Sequence, residues 1–350
     1  MPISITNRVP APQPKRLAYL DIAKGLAIVS IVLVHFSTGF IPPKVNVFIG
    51  SYMISMFYVV SGWIDAMRPR QLPFREFLRK RWHQLGVPYI AWTAIILAFD
   101  MVLWACGYYD TYFIAREIYK SVVLRGIGTL WFLPALFGAE LLWWWVRNKR
   151  PQLRCAIVAV AIALFMWSYG IMLGPRDTLA SSITEAPFRV VLNIAGAWLG
   201  VAAGFCFRRY FLMFIQERHR LSVFIIGLLI ASVGWYCAMW HPVPELWSFG
   251  APLFAPIGLI LIIMPIDNSP LLHWFRYWGR NSMALMVTHF SIMMVLCDIA
   301  VRIVCGQPMD GGWIALSLFV VTMALEYFIA EWLSRHYPKI VGVIRSRHDN

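Results

Sequence analysis

Apolar windows of about 20 residues recur along this chain, near 17–37, 45–67, 86–106, 127–147, 154–174, 190–207, 221–240, 247–265, 283–304 and 312–333. A helix of that length crosses a hydrocarbon core of about 30 Å with its backbone groups bonded internally, which is one of the few ways a chain can span lipid. Hydrophobic residues make up 60% of the chain and charged residues only 14%, too little polar surface to cover a soluble globule of 350 residues. The expected fold is therefore all-α: a polytopic membrane protein of about ten transmembrane helices. Turn-forming stretches such as Ile41-Pro42-Pro43, Leu173-Gly174-Pro175 and Asp310-Gly311-Gly312 separate several windows. No linker or shift in composition divides the chain. One membrane domain, 17–333, is expected between a short N-terminal tail, 1–16, and a basic C-terminal tail, 334–350.

The formal net charge of +14 suggests nucleic acid only if the basic residues gather on one domain, and here they are spread between apolar runs. Topology explains them better. With ten spans, 23 Lys and Arg fall in the tails and loops of one side and 7 on the other. The positive-inside rule then places both termini in the cytoplasm, in a multi-pass protein of the cytoplasmic (inner) membrane whose first span is retained. The six cysteines (Cys106, Cys155, Cys206, Cys237, Cys297 and Cys305) contain no CxxC and no metal-ligand spacing. Inert buried thiols and no metal site are expected.

Charged groups inside a span are costly and invite a functional explanation. The first span carries three ionisable side chains: Asp21, Lys24 and His35. Lys24 and His35 are eleven residues apart, about 20° past three full helical turns, so they share a face at a separation of about 16 Å. Asp21 and Lys24 have the spacing of a local ion pair, and Lys24 can also snorkel towards headgroups. Further acids lie in or near other spans: Asp65, Asp100, Glu140, Asp298, Glu326 and Glu331. Asp298 follows His289 by nine residues, which puts the two on opposite helix faces. Glu326 and Glu331 are expected near the cytoplasmic mouth.

After the first span come Met56-Phe57-Tyr58-Val59-Val60-Ser61-Gly62-Trp63, then Arg68-Pro69-Arg70, then Phe77-Leu78-Arg79-Lys80-Arg81-Trp82 ahead of Pro88-Tyr89. Farther on stand Thr129-Leu130-Trp131-Phe132-Leu133 and Gly279-Arg280-Asn281-Ser282, followed by His289. Together with Leu20-Asp21-Ile22-Ala23-Lys24-Gly25, these stretches resemble the acyltransferase-3 family of integral membrane acyltransferases, especially its fucose 4-O-acetylase-like branch. The most frequent first-span motif of the family has Arg where this chain has Lys24, which keeps the cation and loses the planar fork.

The resemblance implies that His35 is the catalytic residue and that Arg79 and Arg81 serve an acyl donor, acetyl-CoA, as co-substrate. Guanidinium groups can grip its phosphates. Lys24, oriented by Asp21, is then expected to help hold the donor or polarise its carbonyl, with Ser61, Trp131 and His289 as site-lining residues. An imidazole can take the proton of an attacking hydroxyl or accept the acyl group itself, and both routes are open at this point. The implied acceptor is a hydroxyl of a carbohydrate or lipid-linked glycan of the cell envelope, with polysaccharide-assembly proteins as partners.

Ten spans with buried ionisable groups also describe a proton-coupled secondary transporter. The first five spans carry Lys24, His35 and the Arg-rich loop without counterparts in the last five, so the internal repeat such carriers often show is absent. An accessory membrane protein without chemistry is the third alternative. GxxxxGK[ST], HExxH, GxSxG and His-x4-Asp signatures are all missing, which removes support for ATP-driven transport, zinc proteolysis and serine hydrolysis.

Overall fold

The computed structural model describes residues 16–36, 41–172, 179–216, 219–240, 244–306 and 312–343, and no strand occurs among them. Sixteen α-helices follow one another. The first seven are α1 Ala18–Phe36, α2 Pro43–Gly50, α3 Ser55–Ala66, α4 Phe74–Arg81, α5 Val87–Ala105, α6 Thr111–Val122 and α7 Phe132–Val146. They continue with α8 Pro151–Met172, α9 Leu179–Cys206, α10 Leu212–Gln216, α11 Arg220–Trp240, α12 Pro244–Ile263, α13 His273–Arg280, α14 Ser282–Thr288, α15 Val295–Cys305 and α16 Gly312–His336. Helix occupies every one of the ten expected windows, and eight helical stretches are long and apolar enough to cross a membrane. In the other two, α8 and α12, the apolar stretches are shorter, Gln152–Ala163 and Ala251–Ile266. The expected N-terminal tail lies almost wholly outside the described residues, whereas the C-terminal one is described as far as residue 343, with α16 running into it to His336.

Large apolar side chains stand exposed on the outer surface of the bundle, among them Val102, Leu229 and Phe328. Such a surface is stable against lipid tails and would associate in water. The most enclosed span is α1, with 72% of its apolar window buried. Its first half packs with α2, α3 and α12 around Ile22, Met56, Trp63 and Ile260. Its second half packs on α14 and α16 and belongs to a second apolar cluster, built with α5, α7 and α9 around Ile28, Trp92, Leu133 and Leu285.

Two crossings explain how polar groups from distant parts of the sequence meet. Without a hydrophobic drive between helices in lipid, close packing depends on small residues that let backbones approach. At the crossing of α1 with α13, a Cβ on Gly25 would overlap the Phe275 carbonyl oxygen, and one on Gly279 would overlap the Asp21 carbonyl oxygen. At the crossing of α3 with α9, Gly62 abuts the Val201 carbonyl and Gly204 abuts the Val59 carbonyl. Local winding changes at three points: π-helical turns occupy 82–86, 207–211 and 289–294. The first follows Arg81 directly and the third begins at His289, consistent with the tendency of such turns to occur at functional positions.

Candidate functional site

In its last turn, α1 presents His35 to the π-helical turn that begins at His289. The two imidazoles are joined Nδ1 to Nε2 at 3.2 Å, and the Nδ1 of His289 lies 2.6 Å from the Leu285 carbonyl oxygen. A carbonyl oxygen only accepts, so Nδ1 of His289 carries a proton. In the neutral ring, its Nε2 is then an acceptor, and Nδ1 of His35 must donate to it. This leaves the unprotonated nitrogen of a neutral His35 at Nε2, opposite the hydrogen-bonded edge.

His289 is fully buried, whereas His35 lines a cavity of about 120 Å³ together with Met53, Phe57, Trp131, Phe132 and Phe290. The Phe290 ring centroid lies 4.6 Å from that of His35. Trp131 lines the same cavity as His35, while His289 stands behind His35. Thr288 hydrogen-bonds Glu326 at 2.7 Å, so Glu326 is buried beside the residue that precedes His289.

The opposite half of α1 carries the first charge cluster. Lys24 Nζ lies 3.0 Å from Asp21 Oδ1, and Arg280 and Arg16 approach Asp21 Oδ2 at 3.5 and 3.7 Å. The Gly25–Gly279 crossing makes this possible, because it brings the residue after Gly279 over the first turns of α1. One carboxylate faces three cations, which leaves the cluster with excess positive charge.

A second cluster lies at the same end of the bundle, since the Trp63 indole donates to the Tyr19 hydroxyl and sets the C-terminal half of α3 beside the start of α1. Arg81 Nε reaches Glu140 Oε2 at 2.8 Å, and Ser61 donates to Glu140 Oε1. Arg147 pairs with Asp65 at 3.3 Å, Trp143 donates to the same carboxylate at 3.1 Å, and Arg68 approaches it at 3.8 Å. Ser61, Arg68, Arg81, Glu140 and Arg147 line one narrow cleft. Three guanidinium groups against two carboxylates again leave positive charge. Arg79 is exposed and does not line this cleft. Two residues along a helix correspond to about 200°, so Arg79 and Arg81 cannot converge on one group while α4 is helical.

The structure thus separates the residues proposed from sequence into three places. His35, Trp131 and His289 meet at one end of α1. Asp21 and Lys24 meet Arg280 at the other, and Ser61 and Arg81 meet in the cleft. Arg147 escaped the sequence reading, although its i,i+4 spacing from Trp143 hinted at a shared partner, and both reach Asp65. Among the described residues, no group of three or more His, Cys, Asp or Glu is placed to hold a metal ion.

A family model described as an acyltransferase domain, that of the acyltransferase-3 family, matches residues 17–331. No curated protein and no solved structure matches the chain.

Proposed function

Because the chain belongs to the acyltransferase-3 family and is a multi-pass membrane acyltransferase, we propose that it transfers acetyl from acetyl-CoA to a hydroxyl of a cell-envelope carbohydrate, with His35 as general base. The observation that carries this reading is the hydrogen-bond order Leu285 carbonyl, His289, His35. It gives His35 a free Nε2 lone pair at the wall of a cavity. As the acceptor oxygen attacks the thioester carbonyl, its proton passes to that nitrogen. The carbon–sulfur bond then breaks, coenzyme A leaves as thiolate, and the proton on His35 is available to neutralise it. General base catalysis of this kind contributes about 10²–10⁴-fold.

The basic end of the bundle supports a donor with anionic groups. Arg68, Arg81 and Arg147 at the cleft and Lys24 with Arg280 on α1 and α13 offer cations to the phosphates of coenzyme A. The pantetheine arm carries the thioester away from those phosphates, which suits a donor gripped at one end of α1 and reacting at the other. In this reading the basic end faces the cytoplasm of the cell membrane, both termini lie on that side, and the acceptor, a glycan under assembly, comes from the opposite side.

The test is transfer of radiolabel from acetyl-CoA to envelope glycan by membranes holding wild-type protein or His35→Ala at matched levels. Label incorporated only by wild type supports the reading. Equal incorporation removes His35 from the chemistry, and no incorporation with donor intact removes acetyl-CoA as donor.

A further inference from the structure

Next to the His35 cavity, and sharing Gly128, Trp131 and Phe290 with it as lining, lies a larger cavity of about 560 Å³. This size falls within the about 300–1,000 Å³ of small-molecule sites. It is walled by the ends of α5 and α15, by α6 and by the turn at 126–128. Gly126 and Gly128 hold positive φ values of +73° and +50°, and a side chain at Gly128 would meet the Ser291 hydroxyl.

Three acids and three bases line the wall: Asp100, Glu117 and Asp298 against Arg116, Lys120 and Arg125. Most of them are paired. Glu117 holds Arg116 at 3.0 Å and Lys120 at 2.7 Å. Asp298 holds Arg302 at 2.7 Å and accepts from Tyr108 at 2.6 Å. Asp100 is different: it is only 3% exposed, yet its Oδ2 has no hydrogen-bond partner among the described residues. Arg125 forms no ion pair among them either. A buried unpartnered carboxylate oxygen is costly to leave unmet.

The geometry points to this cavity as the acceptor subsite, taking an uncharged pyranose glycoside whose hydroxyls engage Asp100 and Arg125. Counting Arg302, four bases face three acids, and most of them are paired with one another, so the lining offers no strong field to select an ion. A sugar hydroxyl both donates and accepts, and can therefore meet a carboxylate and a guanidinium that lack partners. Tyr109 stacks on Phe113 with centroids 3.9 Å apart, and with Trp131 these rings supply apolar faces for the C–H side of a pyranose. A glycoside bound here is separated from the His35 cavity only by the wall the two share, Gly128, Trp131 and Phe290. The inference rests on the acyl-transfer reading and adds where the acceptor sits and which side chains select it.

The experiment uses purified full-length protein in detergent and follows coenzyme A thiol release from acetyl-CoA. The probes are methyl glycosides of glucose, galactose, N-acetylglucosamine, a 6-deoxyhexose and glucuronic acid. At least one neutral glycoside is expected to stimulate release, and Asp100→Asn to raise its KM about tenfold, as for loss of a hydrogen bond to a charged group. The KM for acetyl-CoA should stay within twofold. Arg125→Gln should act in the same direction and serves if Asp100→Asn fails to fold. Wild-type glycoside KM in both variants overturns the inference, as does stimulation by the glucuronide alone. Absence of stimulation by every glycoside, with His35-dependent thiol release to water intact, overturns it while leaving acyl transfer standing. Absence of any His35-dependent thiol release takes down the acyl-transfer reading and this inference together.

Discussion

His35 and His289 are 254 residues apart in sequence and 3.2 Å apart in space, and the second fixes the protonation of the first. Because the Leu285 carbonyl occupies Nδ1 of His289, the pair can hold only one arrangement of protons when both rings are neutral. Replacing His289 by Leu removes the acceptor and releases the tautomer and orientation of His35. The expected outcome is a fall in kcat of at least about tenfold, part of the about 10²–10⁴-fold owed to general base catalysis, with little change in the KM for donor. Steady-state kinetics separate the two. A His289→Gln variant, whose side-chain oxygen can still accept, should retain more activity than His289→Leu. Equal losses would indicate that packing, not proton placement, is what His289 provides.

Arg81 and Arg79 should behave very differently. Arg81→Ala leaves Glu140 buried with Ser61 alone, and loss of one partner of a buried pair costs about 3–5 kcal/mol. Thermal unfolding of the purified protein should shift down accordingly, and acetyl-CoA KM should rise. Arg79→Ala, on the exposed face of α4, should leave both readouts near wild type. Combining Arg81→Met with Glu140→Gln should recover stability without recovering donor affinity.

The carboxylate at position 21 holds together three cations, Lys24 of α1, Arg280 of α13 and Arg16 just ahead of α1. Lys24→Arg keeps the charge and should retain more activity than Lys24→Ala. Asp21→Asn should weaken both stability and transfer, because Lys24 and Arg280 are then left facing each other. Parallel measurements of unfolding temperature and label transfer check this, and a loss of transfer at unchanged stability would assign Asp21 to the chemistry alone.

Gly25→Ala is expected to be far more damaging than its single methyl suggests. The added carbon overlaps a backbone carbonyl and not a flexible side chain, so α1 and α13 must separate. The cost is at least the about 1–3 kcal/mol of ordinary overpacking. Size-exclusion profiles of the detergent-solubilised protein should show loss of the folded peak, and Gly279→Ala should reproduce it.

Much of the first span was legible from sequence, because one helix face is a local property. The spacing of Lys24 and His35, the pairing of Asp21 with Lys24 and the apolar windows all follow from helical periodicity. What the chain did not disclose is which helix stands opposite. His289 was a candidate without a known neighbour, Glu326, expected near the cytoplasmic mouth, had no visible partner and is buried against Thr288, and Arg147 looked like topology alone. The Arg79/Arg81 pair shows the opposite hazard: a motif read as a unit is split by the helix that carries it. Gly25 and Gly279 were visible as parts of two separate motifs, and only the fold reveals that they touch.

The contact between those two glycines has a consequence for biosynthesis. The first span leaves the ribosome early, yet Arg280 and His289, its partners at either end, lie beyond residue 272. A chain released before that stretch would carry Asp21, Lys24, His35 and the arginines of the cleft and still have no assembled centre. If these clusters carry the transfer, nascent protein stays inactive until nearly the last helix has been inserted.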